Sequence, residues 1–137
     1  MSRQDYKLFE EIVDELEELR ELSRKIPIIV EGRNDEVALR KLGINGKFYC
    51  ISNGIPLYEF CEEIARDHPD VILFTDLDAE GKKITRKLKS FLSQMGVRVD
   101  GRFRLSLLSK LDTHQVENVY KRFNKLSELL NTPIRFK

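Results

Sequence analysis

Between residues 5 and 24 apolar side chains recur every three or four positions, at Leu8, Ile12, Leu16, Leu19 and Leu22, with mostly charged residues between them. That period predicts an amphipathic helix. Its stripe is expected to pack on the rest of the chain, with a weak dimer through this helix as the alternative to a monomer. Pro27 ends it, and the pattern changes to a continuous apolar run over Ile26–Val30, as expected of a strand buried on both faces. Asn34 is then predicted to cap a helix running to Leu42, with Gly43 past its end. Phe48–Ile51 predicts a second strand, Asn53-Gly54 a turn, and Pro56 to Arg66 a helix. Val71–Thr75 predicts a third strand and Lys82–Met95 a long helix closed by Gly96. Val97–Val99 and Phe103–Leu107 read as further strand, and a last helix is expected from Asp112, spaced from Gln115 as a capping box, to Leu130.

Strands that alternate with helices from Ile26 onward call for an α/β fold, a mostly parallel sheet of about four strands covered by helices, with the amphipathic N-terminal helix added. The expected division is a helical extension over 1–25, a core over 26–112, and a C-terminal helix and tail over 113–137. In such a sheet, function gathers at the carboxyl ends of the strands.

The chain has 137 residues, 41% hydrophobic and 34% charged, enough for one ordinary domain and unlike a disordered or membrane protein. No apolar run approaches the length of a membrane span, and the acidic N-terminus lacks the features of a signal peptide, so the expected compartment is the cytoplasm. Cys50 and Cys61 have neither a zinc spacing nor a disulfide framework, and are expected to be reduced packing residues. Charge is distributed unevenly. Residues 1–25 hold five Lys/Arg and eight Asp/Glu, residues 26–78 five and ten, and residues 79–137 fourteen and five, for local nets of -3, -5 and +9. A basic second half suits a polyanionic partner, although solvated helix faces explain it equally well.

Carboxylates end two of the predicted strands. Val30 is followed by Glu31-Gly32-Arg33-Asn34-Asp35, and Phe74 by Thr75-Asp76-Leu77-Asp78-Ala79-Glu80-Gly81. Glu31, Asp76 and Asp78 are thereby expected to converge, and carboxylates gathered at one sheet edge repel one another unless a hard cation holds them. The plain alternative is a set of unrelated helix caps and turns. Asp35, and likewise Glu80, fits helix capping better than metal ligation.

The ordered pair Glu-Gly-x-x-Asp and Asp-x-Asp-x-x-Gly, each after a strand, resembles the Toprim domain of topoisomerases, primases and several nucleases, over about residues 26 to 99. Leu77 stands where many members have proline. The Phe-Thr-Asp-Leu-Asp-Ala-Glu-Gly-Lys-Lys-Ile run is also similar to that of the bacterial ribonucleases that mature 5S ribosomal RNA. The acidic N-terminal helix, the Asn-Gly-x-Pro-Leu-Tyr-Glu turn and the Val116-Glu117 pair look like the small stand-alone archaeal Toprim proteins.

The resemblance implies a magnesium site, with manganese as a substitute, in which Asp76 and Asp78 hold the ion and Glu31 completes its shell or transfers a proton. It implies nucleic acid as partner, RNA ahead of DNA, and a nuclease as the activity. The alternatives are a non-catalytic nucleic-acid-binding subunit and a primase-like nucleotidyltransferase. Arg33, Asn53, Gly81, Lys82, Lys83 and Arg86 are the candidates for phosphate contact, and Asp35 and Glu117 are the candidate auxiliary acids.

Overall fold

The computed structural model describes residues 2–130 of the chain. Four short strands, β1 (Ile28–Val30), β2 (Phe48–Cys50), β3 (Asp70–Leu73) and β4 (Arg98–Asp100), form one sheet in the order β2-β1-β3-β4, every pair parallel. The helices are α1 (Arg3–Leu22), α2 (Arg33–Lys41), α3 (Leu57–Asp67), α4 (Ala79–Gln94), α5 (Arg102–Lys110) and α6 (Val119–Leu129). The arrangement is the expected α/β one, a parallel sheet with helices on both faces, and is Rossmann-like.

Strand side chains alternate between two cores. Ile28, Val30, Ile72 and Phe74 face α1, α2, α5 and α6, where Ile12, Leu16, Leu39, Leu107 and Phe123 are buried. Ile29, Val71 and Leu73 face α3 and α4, with Phe60, Ile64, Leu88 and Leu92. The α1 stripe therefore packs inside the chain, and Phe9 stacks on Phe123 at 5.3 Å. Cys61 is buried and Cys50 partly so, and both are free thiols. Among the described residues no helix is long and apolar enough to cross a membrane.

Two expected elements differ. Residues Phe103–Leu107 lie in helix α5 rather than in a strand. Phe103, Leu105 and Leu107 mimic a period of two, but Leu105 is 56% exposed, while Phe103, Leu107, Leu108 and Leu111 are buried at helical spacing. Asp112 opens no capping box. It has φ 52° at the exit of α5 and accepts a hydrogen bond from Arg122 Nη2 at 3.0 Å, and α6 begins only at Val119, after a 3-10 turn over Val116–Asn118. The expected tail from residue 131 lies outside the described residues.

Helix starts shift for a common reason. Gly32 rather than Asn34 is the N-cap of α2, because the Asp35 carboxylate reaches back to the Gly32 amide at 3.1 Å. Helix α4 starts at Ala79 rather than Lys82, because Asp78 is its N-cap and accepts from the Gly81 amide at 2.8 Å.

Candidate metal centre at the β1 and β3 exits

Sheet order reverses between β1 and β3: the chain moves from β1 to β2 on one side and to β3 on the other. Their carboxyl ends consequently open a crevice, the usual ligand position in a parallel sheet. The ladder itself brings the first two carboxylates together. Amides of β3 and its continuation bond alternately to the β1 strand, Ile72 to the Pro27 carbonyl and Phe74 to the Ile29 carbonyl, both at 2.8 Å. At the next step the Asp76 amide bonds not to a carbonyl but to the Glu31 carboxylate, at 2.7 Å. The Glu31 carbonyl is turned instead to the Ser52 amide after β2, at 3.0 Å.

Asp76 is fixed from a third direction, its Oδ1 accepting the Val116 amide at 2.8 Å, while the Leu77 amide bonds to the His114 carbonyl at 2.7 Å. The segment before α6 thereby clamps the Asp-x-Asp loop. Gly81 is needed here for a steric reason. A Cβ at that position would lie 2.2 Å from the Asp76 carbonyl oxygen, so the close approach it permits is to the protein's own backbone. Below the loop the Thr75 hydroxyl donates to that of Thr85, which donates on to the Gly81 carbonyl at 2.7 Å.

Arg104 completes the support and was hidden by the strand reading of its segment. Only 6% exposed, it donates from Nε to the Thr75 carbonyl at 2.7 Å and from Nη2 to the Asp76 carbonyl at 2.8 Å. Its guanidinium thus pins the β3 exit and places a positive charge under Glu31 and Asp76. The one sequence signal was a charged residue at a core position of a helical period. The Val116 amide carried no signal, since a backbone donor is not written in side-chain chemistry.

The acids are electrostatically uncomfortable. Burial pushes the Glu31 carboxyl above its ordinary value against the Asp76 amide that favours ionisation, and the charges of Asp76, Asp35 and Asp78 push the same way. Burial also raises Asp76, opposed by the Val116 amide and Arg104 and reinforced by Asp78 and Glu117. Asp35, 7% exposed, is pushed up to about 6 by burial first, then by the charges of Asp76 and Glu117. Asp35 does cap α2, as expected, but the helix start keeps it beside the cluster rather than carrying it away. Glu117, exposed in its 3-10 turn, brings its charge to the same place.

Of the phosphate candidates, Arg33 is the exposed first residue of α2, and Asn53 is exposed in a 3-10 turn, its Oδ1 accepting from Ile55 N at 3.1 Å. Lys82, Lys83 and Arg86 are exposed in the first two turns of α4, and none forms an ion pair among the described residues.

Among the described residues no three His, Cys, Asp or Glu side chains are already gathered tightly enough to hold an ion. Glu31, Asp76 and Asp78 each give one oxygen to a backbone amide, and the second oxygen of each makes no hydrogen bond among the described residues. Half-buried acids that repel one another, each with an oxygen to spare, fit a hard divalent cation that keeps several waters and needs no complete protein cage.

A family model for the Toprim domain matches residues 26–108. The chain belongs to the Toprim domain family, whose members are associated with metal-dependent nucleic-acid chemistry. It is 36% identical over 129 residues to a UPF0292 protein of Pyrococcus abyssi, covering 93% of this chain and 92% of that one. A UPF0292 protein of Methanocaldococcus jannaschii is 30% identical over 128 residues, covering 91% and 98%. A solved structure of a protein from Aquifex aeolicus superposes with a TM-score of 0.68 at 34% identity, over 77% of this chain and 94% of that one.

Proposed function

We propose that the protein is a magnesium-dependent nuclease that hydrolyses phosphodiester bonds, with RNA as the favoured substrate and Glu31, Asp76 and Asp78 as its working groups. The observation that carries this reading is the Glu31 carboxylate bonded to the Asp76 amide at 2.7 Å, which couples two strand-exit acids across the sheet's switch point. A bound divalent ion supplies neutralisation of the phosphate charge and a more acidic attacking water. Asp76 and Asp78 offer their spare oxygens to that ion. Glu31, whose carboxyl is raised above its ordinary value, can hold a proton nearer neutral pH than a solvated acid and return it to the leaving oxygen. Arg104 keeps the Asp76 backbone in place, and Arg33, Lys82, Lys83 and Arg86 offer cations to the phosphates around the scissile one.

The test is incubation of structured and single-stranded RNA and DNA with magnesium or manganese. Cleavage that disappears with chelator and in Glu31→Gln supports the reading; intact substrates under every condition, with folded protein, oppose it. A specific observation favours a second reading, a nucleic-acid-binding subunit without turnover: each of the three carboxylates already accepts a backbone amide. That reading predicts that Glu31→Gln binds nucleic acid as the unaltered protein does and that neither cleaves.

A further inference from the structure

Helix α4 carries Lys82, Lys83, Arg86, Lys87 and Lys89 exposed along its outer face, against Glu80 as its one acid, and none of these cations is in an ion pair among the described residues. Lys83, Lys87 and Phe91 follow one another at intervals of four, so they line one side of the helix. That line ends on an aromatic pair. Phe91 meets Tyr58 of α3 edge-on, with ring centroids 5.1 Å apart, and Tyr58 is 48% exposed although large.

Two routes lead from the acidic site to this pair. One is α4 itself, along which ten residues from Gly81 to Phe91 rise about 15 Å. The other is the β2–α3 connection, which starts with the Ser52 amide on the Glu31 carbonyl and reaches Tyr58 six residues later. Past Tyr58, α3 exposes Glu59, Glu62 and Glu63, with Glu62 one turn on from the ring, and these carboxylates repel a polyanion and end the track at Tyr58.

We infer that the outer face of α4 together with Tyr58 is a track for single-stranded nucleic acid, Lys83 and Lys87 following the phosphates and the Tyr58 ring stacking on a base a few nucleotides from the carboxylates. Unpaired cations beside an exposed ring held edge-on by a second ring match the way single strands are bound, since a base inside a duplex presents no free face. The track rests on the reading of the carboxylates as a phosphodiester site, and adds to it the strandedness of the substrate.

Fluorescence anisotropy in excess chelator, with a labelled single-stranded RNA of a dozen nucleotides and the matching duplex, separates binding from cleavage. The expected results are tighter binding of the single strand, about a tenfold loss in Tyr58→Ala with an unchanged salt slope, and retention in Tyr58→Trp. Lys83→Glu combined with Lys87→Glu weakens binding and flattens the salt slope. Equal affinity for duplex and single strand, or unchanged affinity in Tyr58→Ala, overturns the track. The same samples without chelator and with magnesium distinguish the two failures: binding with Tyr58 dependence but no product removes the nuclease reading and leaves the track, whereas product formation with no Tyr58 dependence removes the track alone.

Discussion

The acids of this molecule live in two different conditions. At the β3–β4 edge, Asp70 receives Arg98 through two hydrogen bonds of 2.7 and 3.0 Å, and Asp100 receives Arg102 at 3.0 Å. Burial pushes Asp100 upward, but the Arg102 hydrogen bonds and charge outweigh it and hold its carboxyl below the ordinary value. At the β1–β3 crevice, Glu31, Asp35 and Asp76 have backbone amides as partners, other acids as neighbours, and raised carboxyls. Arg104, the one buried cation among the described residues, gives its hydrogen bonds to carbonyls. Arginine-paired acids serve folding locally; acids left to repel one another oppose folding and mark where an external cation is useful.

On the proposed function, the contrast breaks most widely in catalysis. Asp76→Asn is expected to lower the phosphodiester cleavage rate by at least about a hundredfold, and Asp70→Asn to leave it within about twofold, both read from initial rates on one RNA substrate. Next in size is the loop that carries the crevice acids. Gly81→Ala forces a methyl group against the Asp76 carbonyl and should cost about 3 kcal/mol in urea denaturation. Gly101→Ala, whose Cβ would meet nothing nearer than Lys89 Nζ at 3.9 Å, should cost little.

Smaller effects follow from protonation. Asp35 has a folded pKa of about 6, above its unfolded value of 3.8, so the folded state holds the proton more tightly. Its ionisation therefore removes stability as pH rises from about 4 through 6. Asp35→Asn keeps an oxygen for the Gly32 amide and should raise metal-free stability at pH 7 by about 1 kcal/mol, with no gain at pH 4, in paired thermal melts. Asp100 behaves oppositely. Its lowered carboxyl contributes stability above its unfolded pKa and loses it as pH falls through the folded one, so Asp100→Asn should cost about 0.5 kcal/mol at pH 7 and nothing at low pH.

The centre of the sheet was legible because β1 and β3 are uninterrupted apolar runs ended by carboxylates, and the order of Glu31 and Asp76 on these neighbouring exits carried the family resemblance. Phe103–Leu107 misled because Leu105 is apolar yet exposed, while Arg104 is charged yet buried, so binary pattern and burial disagree at adjacent positions. The starts of α2 and α4 slipped by two and three residues because an acid accepts a helix-start amide there, Asp35 reaching back to Gly32 and Asp78 forward to Gly81. The clamp from Val116 and His114 was not legible, since its contacts are backbone amides and carbonyls that only the tertiary path brings to the loop.

The most direct measurement is a crystal structure of the protein soaked in manganese, with the ion located by anomalous scattering. A peak within bonding distance of Asp76 and Asp78, with Glu31 completing its shell or facing its water, is the expected result. A folded crystal at saturating manganese with no peak in the crevice, and the three carboxylates still bonded only to the Asp76, Val116 and Gly81 amides, would contradict it.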